Sequence, residues 1–214
     1  MQGVNPKIFI EVVENDLDAL LKQDIWNDRE FVKKLFSQKE GSKANFQRNV
    51  IDQVMMQTEY WSRVLMFIYR FGRFLKFHCE SEYWKSVYKE LNEKILKERL
   101  NCTIPLEANI GFGTLFKHPF GVVINSKSVI GKNCTIRHNF TIGTSDLVGN
   151  KTPSPQIGDN CYIGANVSIF GPITIGNNSI IGGGAVVTKS FPDNSKLVGC
   201  PAKNLNEEAV EEGN

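Results

Sequence analysis

The chain lacks any charge bias that would select a partner. Its 214 residues carry 25 Lys and Arg against 23 Asp and Glu, a formal net charge of +2, with no long run of either sign. A nucleic-acid surface needs a basic stripe, and none is present. Long apolar runs are missing too: none approaches the ~20 residues of a membrane span. The opening residues, MQGVNPKIFIEVVEND, lack the basic-then-apolar layout of a signal peptide. Cys79, Cys102, Cys134, Cys161 and Cys200 are odd in number and form no CxxC pair. They read as small packing residues in a reducing, cytoplasmic setting. Histidine is scarce, with only His78, His118 and His138. A three-histidine metal site would have to recruit His78 from the other half of the chain, so no metal is expected.

Glycine is nearly absent from one half. Of eighteen glycines only Gly3, Gly41 and Gly72 precede residue 101, while seventeen of the Lys and Arg and fifteen of the Asp and Glu do. Residues 1–100 therefore read as a helical domain. Asn5-Pro6 forms a cap ahead of Ile8, Val12, Val13 and Leu17. A second pattern runs from Val50 and Val54 through Trp61 to Phe67 and Phe71, and a third places Trp84, Val87, Leu91 and Ile95 on one face. The basic-aromatic piece RVLMFIYRFGRFLKFH (63–78) reads as a packed helix with Arg and Lys in solvent, rather than a membrane-surface helix.

What the second half has is a repeat. Ile104, Ile110 and Phe116 are six apart; Ile124, Ile130, Ile136 and Ile142 follow, and then Ile157, Ile163, Ile169, Ile175, Ile181 and Val187. Four places after these anchors stand mostly small or apolar residues, such as Thr114, Cys134, Cys161 and Ala185. A period of six is neither helical nor that of a hairpin meander. It specifies a short strand and a turn stacked into a solenoid. The rhythm slips at His118-Pro119, where Phe116 to Ile124 is eight residues. The slip puts His118 and His138 on one edge of adjacent coils. If the stretch from Ile142 to Ile157 is one hexad with an excursion, Ala165 and Gly183 continue that column at strand spacing, ~4.8 Å. A bulge that re-aims a side chain is a device often found near reactive sites.

The pattern resembles the left-handed parallel β-helix of hexapeptide acyltransferases, which implies an α+β chain: an N-terminal helical domain (1–100), a left-handed β-helix acetyltransferase domain (101–205) and an acidic tail (206–214). HPFGVVIN, TSDLVGNKTPSPQIG, IGANVSIFGPITIGNN, IGGGAVV and GCPAK are similar to segments of serine acetyltransferases and their relatives in polysaccharide gene clusters. YRFGRFL is similar, more weakly, to that family's N-terminal domain. The resemblance implies acetyl-CoA as co-substrate and His118 as the catalytic base. It also implies a pantetheine path along Ala165, Gly183, Gly184 and Ala185, with Lys189 and Lys203 near its far end. Family members close three prisms around an axis with the site between subunits, so a homotrimer or dimer of trimers is expected.

Three positions depart from the serine-specific pattern. Thr103 stands where the family has an acid fifteen residues before the base, Lys117 where it has Asp, and Ser154 where it has a second His; Glu107 is the nearest other acid. TIRHNFTIG looks closer to the exopolysaccharide (colanic-acid type) enzymes. The expected function is therefore O-acetylation of a sugar hydroxyl, with His138, Lys117, Arg137, Asn139 and Ser154 as acceptor-binding residues and Asn125 in the same groove. Serine O-acetylation is the alternative. The tail NEEAVEEGN reads as a solvated end rather than a docking peptide.

Overall fold

Six-residue spacing becomes three faces of short parallel strands. The structure, a computed structural model, describes residues 50–78, 81–145 and 153–206. The expected first helix, the tip of the excursion and the tail past Asn206 lie outside the described residues. Two compact units divide between Leu100 and Asn101.

In the first unit, α1 (Asp52–Met55), α2 (Tyr60–His78) and α3 (Glu82–Leu91) follow one another, and α3 runs on as a π-helical stretch, Asn92–Arg99. Six consecutive residues of α2, Val64 to Tyr69, are buried, so this helix is no one-sided surface stripe. Its arginines are not left in solvent as expected: Arg63, Arg70 and Arg73 are half-buried. The guanidinium carbons of Arg70 and Arg73 lie 5.2 and 5.8 Å from the Tyr69 ring centroid. Burial pulls Arg70 below the usual arginine range. The third pattern also changes on folding. Trp84, Val87, Leu91 and Ile95 are buried as expected, but the wider π turn brings Leu96 and Leu100 into the core as well. Among the described residues no helix is long and apolar enough to cross a membrane.

The second unit is the solenoid. Its first face carries β3 (Val123–Ile124), β6 (Thr141–Gly143), β9 (Ser168–Phe170) and β12 (Val186–Val187). The second carries β1 (Asn109–Ile110), β4 (Val129–Ile130), β7 (Gln156–Ile157) and β10 (Thr174–Ile175). The third carries β2 (Leu115–Lys117), β5 (Thr135–Arg137), β8 (Tyr162–Ile163), β11 (Ile180–Ile181), β13 (Lys196–Val198) and β14 (Lys203–Asn204). All pairs are parallel except β13 with β14. The anchors point inward and stack on their counterparts one coil away: Phe116 on Ile136, Ile136 on Ile163, Ile163 on Ile181 and Ile181 on Leu197. All five are buried, each worth about 1.5–3 kcal/mol of apolar transfer.

These pairings give the coil lengths. Going down the third face they are twenty residues (116 to 136), twenty-seven (136 to 163), eighteen (163 to 181) and sixteen (181 to 197). The interval from Ile142 to Ile157 is thus a single hexad with an excursion. The repeat does not stop at Val187, however. Phe191 bridges Ile175 and Leu197 pairs with Ile181, a last coil shortened by two residues. β14 then reverses direction against β13, and Asn204 fixes the turn: its Oδ1 accepts the Lys196 N–H at 3.1 Å and its Nδ2 donates to Ser195 Oγ at 3.2 Å.

Candidate active site

The corners of the coil decide which side chains meet. Among the described residues eight non-glycine residues adopt left-handed φ; seven are asparagines and the eighth is His118, at φ 53°. The asparagines turn corners. Asn139 and Asn166 form one ladder, with Asn139 Nδ2 donating to Asn166 Oδ1 at 3.0 Å, and Gly121 and Gly184 take left-handed turns on the same edge. His118 belongs to no such ladder. Five residues between Lys117 and Val123 face three between Arg137 and Thr141 on the next coil, and the surplus forces His118 into a conformation that costs about 1–2 kcal/mol in a residue with a Cβ.

The bulge is supported from below by a residue that the sequence offered only as packing. The Cys102 thiol donates to Pro119 O at 3.2 Å and accepts the Val122 N–H at 3.3 Å. Burial pushes this thiol up to about 11. No local pattern could have revealed it, because the partners are seventeen and twenty residues away.

His118 and His138 are brought together, with ring centroids 6.3 Å apart at an interplanar angle of 60°. Nδ1 of His138 is buried and makes no hydrogen bond. The strand register continues this column to Ala165 and Gly183. At this edge the Asn139, Asn166 and Gly184 N–H groups donate to the neighbouring coil, whereas those of Ala165 and Gly183 meet no acceptor among the described residues. A Cβ on Gly183 would stand 3.2 Å from Ala165 O, the carbonyl that receives the Gly184 N–H. The ridge therefore offers open donors beside a residue with no side chain, which suits a long amide-bearing arm lying along it. Lys203 pairs with Val198 at the end of the same edge.

Other expected site residues fall elsewhere. Ala185 is fully buried, its N–H donates to Gly182 O and its carbonyl accepts the Ser168 N–H, so it presents nothing to the ridge. Asn139 is exposed, but its amide is engaged in the corner ladder. Lys189 follows β12 at the next corner, where its ammonium stands 5.2 Å from the Phe191 ring centroid. Ser154 is buried just ahead of β7 and donates to Asn125 Oδ1 at 2.7 Å, one face away from His138. Asn125, expected in the groove with His138, stands at that other corner as well. It helps line a hollow of about 390 Å³ on the first face, together with Thr103, Val123, Thr141 and Gly143. Glu107 turns the corner between the first and second faces, whereas His118 stands between the third and the first. Among the described residues no group of three His, Cys, Asp or Glu could hold a metal ion.

The family described as "Bacterial transferase hexapeptide (six repeats)" matches residues 154–189. Serine acetyltransferase of Mycobacterium tuberculosis is 42% identical over 96 residues, which is 45% of this chain and 42% of that one. The putative colanic acid biosynthesis acetyltransferase WcaB of Escherichia coli K12 is 43% identical over 100 residues, 47% of this chain and 60% of that one. The match thus spans about half the length of these relatives. Among solved structures, Vibrio cholerae serine acetyltransferase superposes with a TM-score of 0.65 at 21% identity, covering 92% of this chain and 84% of that one. The soybean enzyme complexed with serine gives 0.59 at 27% identity, covering 91% and 70%. The second unit is thus a solenoid of hexapeptide repeats, and the chain is similar in sequence to a serine acetyltransferase and a putative colanic acid acetyltransferase and in fold to serine acetyltransferases.

Proposed function

We propose that the protein is an acetyl-CoA-dependent O-acetyltransferase of the serine acetyltransferase type, built on a left-handed β-helix. The observation that carries this reading is the His118–His138 pair at the head of a ridge with open N–H groups at Ala165 and Gly183. The imidazole of His118 takes the proton of the acceptor hydroxyl as its oxygen attacks the thioester carbonyl, and returns that proton to the departing thiolate. No covalent enzyme intermediate is needed. Acetyl-CoA supplies the activated acetyl group, and the Ala165 and Gly183 N–H groups hold its pantetheine arm. The solved relatives support L-serine as acceptor over the sugar hydroxyl expected from the sequence. The sugar reading keeps one support, the 43% identity over 100 residues to the putative colanic acid enzyme.

The third face exposes Tyr162, Ile180 and Val198, an apolar strip that supports self-association into trimers. Release of CoA thiol with L-serine, beside a panel of sugar acceptors, tests the function. Turnover with serine is the expected result, and no release with any acceptor would overturn the reading.

A further inference from the structure

We propose that Lys117 and Arg137 form an anion subsite that receives an oxyanion of the acceptor, a carboxylate or phosphate, beside His118; this rests on the acetyltransferase reading for its role. Lys117 and Arg137 are direct partners on β2 and β5, each outward on the third face and each followed by one of the paired histidines. Two cations in register on neighbouring strands repel one another, a cost that a folded chain normally offsets with a carboxylate. Here there is none. The described residues of the solenoid include only three carboxylates, Glu107, Asp159 and Asp193, and all stand at the other two corners.

Arg137 is also posed. Its Nη1 donates to the Tyr162 hydroxyl at 3.3 Å, while its Nε is buried without a hydrogen bond. That enclosure holds the guanidinium in place, and its remaining Nη N–H groups, on a half-exposed side chain, are the charged donors an arriving oxyanion would meet. His138 Nδ1, the neighbouring orphan, lies on the same coil. The anion is the acceptor's rather than a CoA phosphate, because the pantetheine arm separates those phosphates from the thioester that His118 must reach. Serine and an acidic sugar share the required oxyanion. A neutral sugar does not.

Two measurements test this. In protein with ¹⁵N-labelled histidine, inorganic phosphate should shift the His118 and His138 ring signals saturably. The Lys117→Gln/Arg137→Gln double variant should bind it at least about tenfold more weakly, the scale of losing charge-assisted hydrogen bonds. Thermal unfolding of that variant checks that the solenoid is intact. An absent shift, or equal affinity in the folded variant, overturns the subsite. The second measurement compares acetylation of L-serine with L-serinamide, and of glucuronate with glucose. The anionic member of the accepted pair should lead at least tenfold in kcat/KM, and the lead should vanish in the double variant. An equal or better neutral member overturns the proposal. Phosphate binding that depends on both cations, with no acceptor turned over, would support the subsite and remove the acetyltransferase reading instead.

Discussion

Two corners of the same solenoid are built to opposite ends. At the corner between the second and third faces, each coil hands hydrogen bonds to the next. Lys132 N–H donates to Asp159 Oδ1 at 2.7 Å, Asp159 N–H to Asn177 Oδ1 at 2.8 Å, and Asn177 N–H to Asp193 Oδ1 at 2.7 Å. Just inside it, the Cys134 and Cys161 thiols donate to Gly158 O and Gly176 O. At the corner between the third and first faces less is matched among the described residues: the Ala165 and Gly183 N–H groups meet no acceptor, Lys117 and Arg137 have no carboxylate beside them, and His118 takes a left-handed conformation. A repeat protein is stabilised by nearest-neighbour terms, so it can spend one corner on stability and keep another for chemistry.

Breaking the chemical corner should produce the largest effects. His118→Ala should lower turnover by ~10²–10⁴-fold while acetyl-CoA affinity holds, as read by CoA release and calorimetry. Turnover within a few-fold of the unaltered protein would remove the base assignment. Deleting Pro119 and Phe120 restores an eighteen-residue coil and frees His118 from its left-handed turn. Activity should fall by a comparable ~10²-fold or more, with the unfolding temperature little changed. If the deletion variant remains active, the bulge does not aim the histidine.

Smaller perturbations sharpen the contrast. Gly183→Val crowds the Ala165 carbonyl at the ridge, and KM for acetyl-CoA should rise about tenfold, the scale of one or two lost hydrogen bonds; an unchanged KM would move the cofactor path elsewhere. Asn177→Ala on the structural corner should do the reverse, costing about 0.5–1.5 kcal/mol in denaturant unfolding by removing the acceptor of the exposed Asp159 N–H, with kcat unaltered. The mildest test is chemical. Iodoacetamide at pH 8 should modify exposed Cys200 well before buried Cys102, Cys134 and Cys161, as peptide mapping would read. The Cys102 thiol is raised from 9.0 to about 11, so folding favours its neutral form. That stability is present below pH 9 and is lost as pH climbs toward 11, where its labelling should begin.

The contrast also explains what the sequence disclosed. A rung needs an inward aliphatic every sixth residue, and its neighbours are set by simple counting. The anchors, the slip and the approach of His118 to His138 were therefore legible. The support of the slip was not, because Cys102 reaches Pro119 across a full turn of the coil. Phe191 and Leu197 escaped for a related reason: the final coil is short, so Phe191 comes four residues after Val187 and breaks the count. Ser154 and Asn125 meet at the corner between the first and second faces across twenty-nine residues of sequence, a separation no local pattern reveals. Ala185 was misjudged by its glycine neighbours, whose exposure it does not share.

The reversal at β14 has a consequence for assembly. A parallel stack ends in a row of open peptide groups, and any extended chain, including another copy, could add to it as the next rung. β14 occupies that place in the opposite sense, and Asn204 locks it there with its side-chain amide. A further coil would have to displace it before docking. The third face is thereby closed to growth at its C-terminal end, where another rung would otherwise add in register.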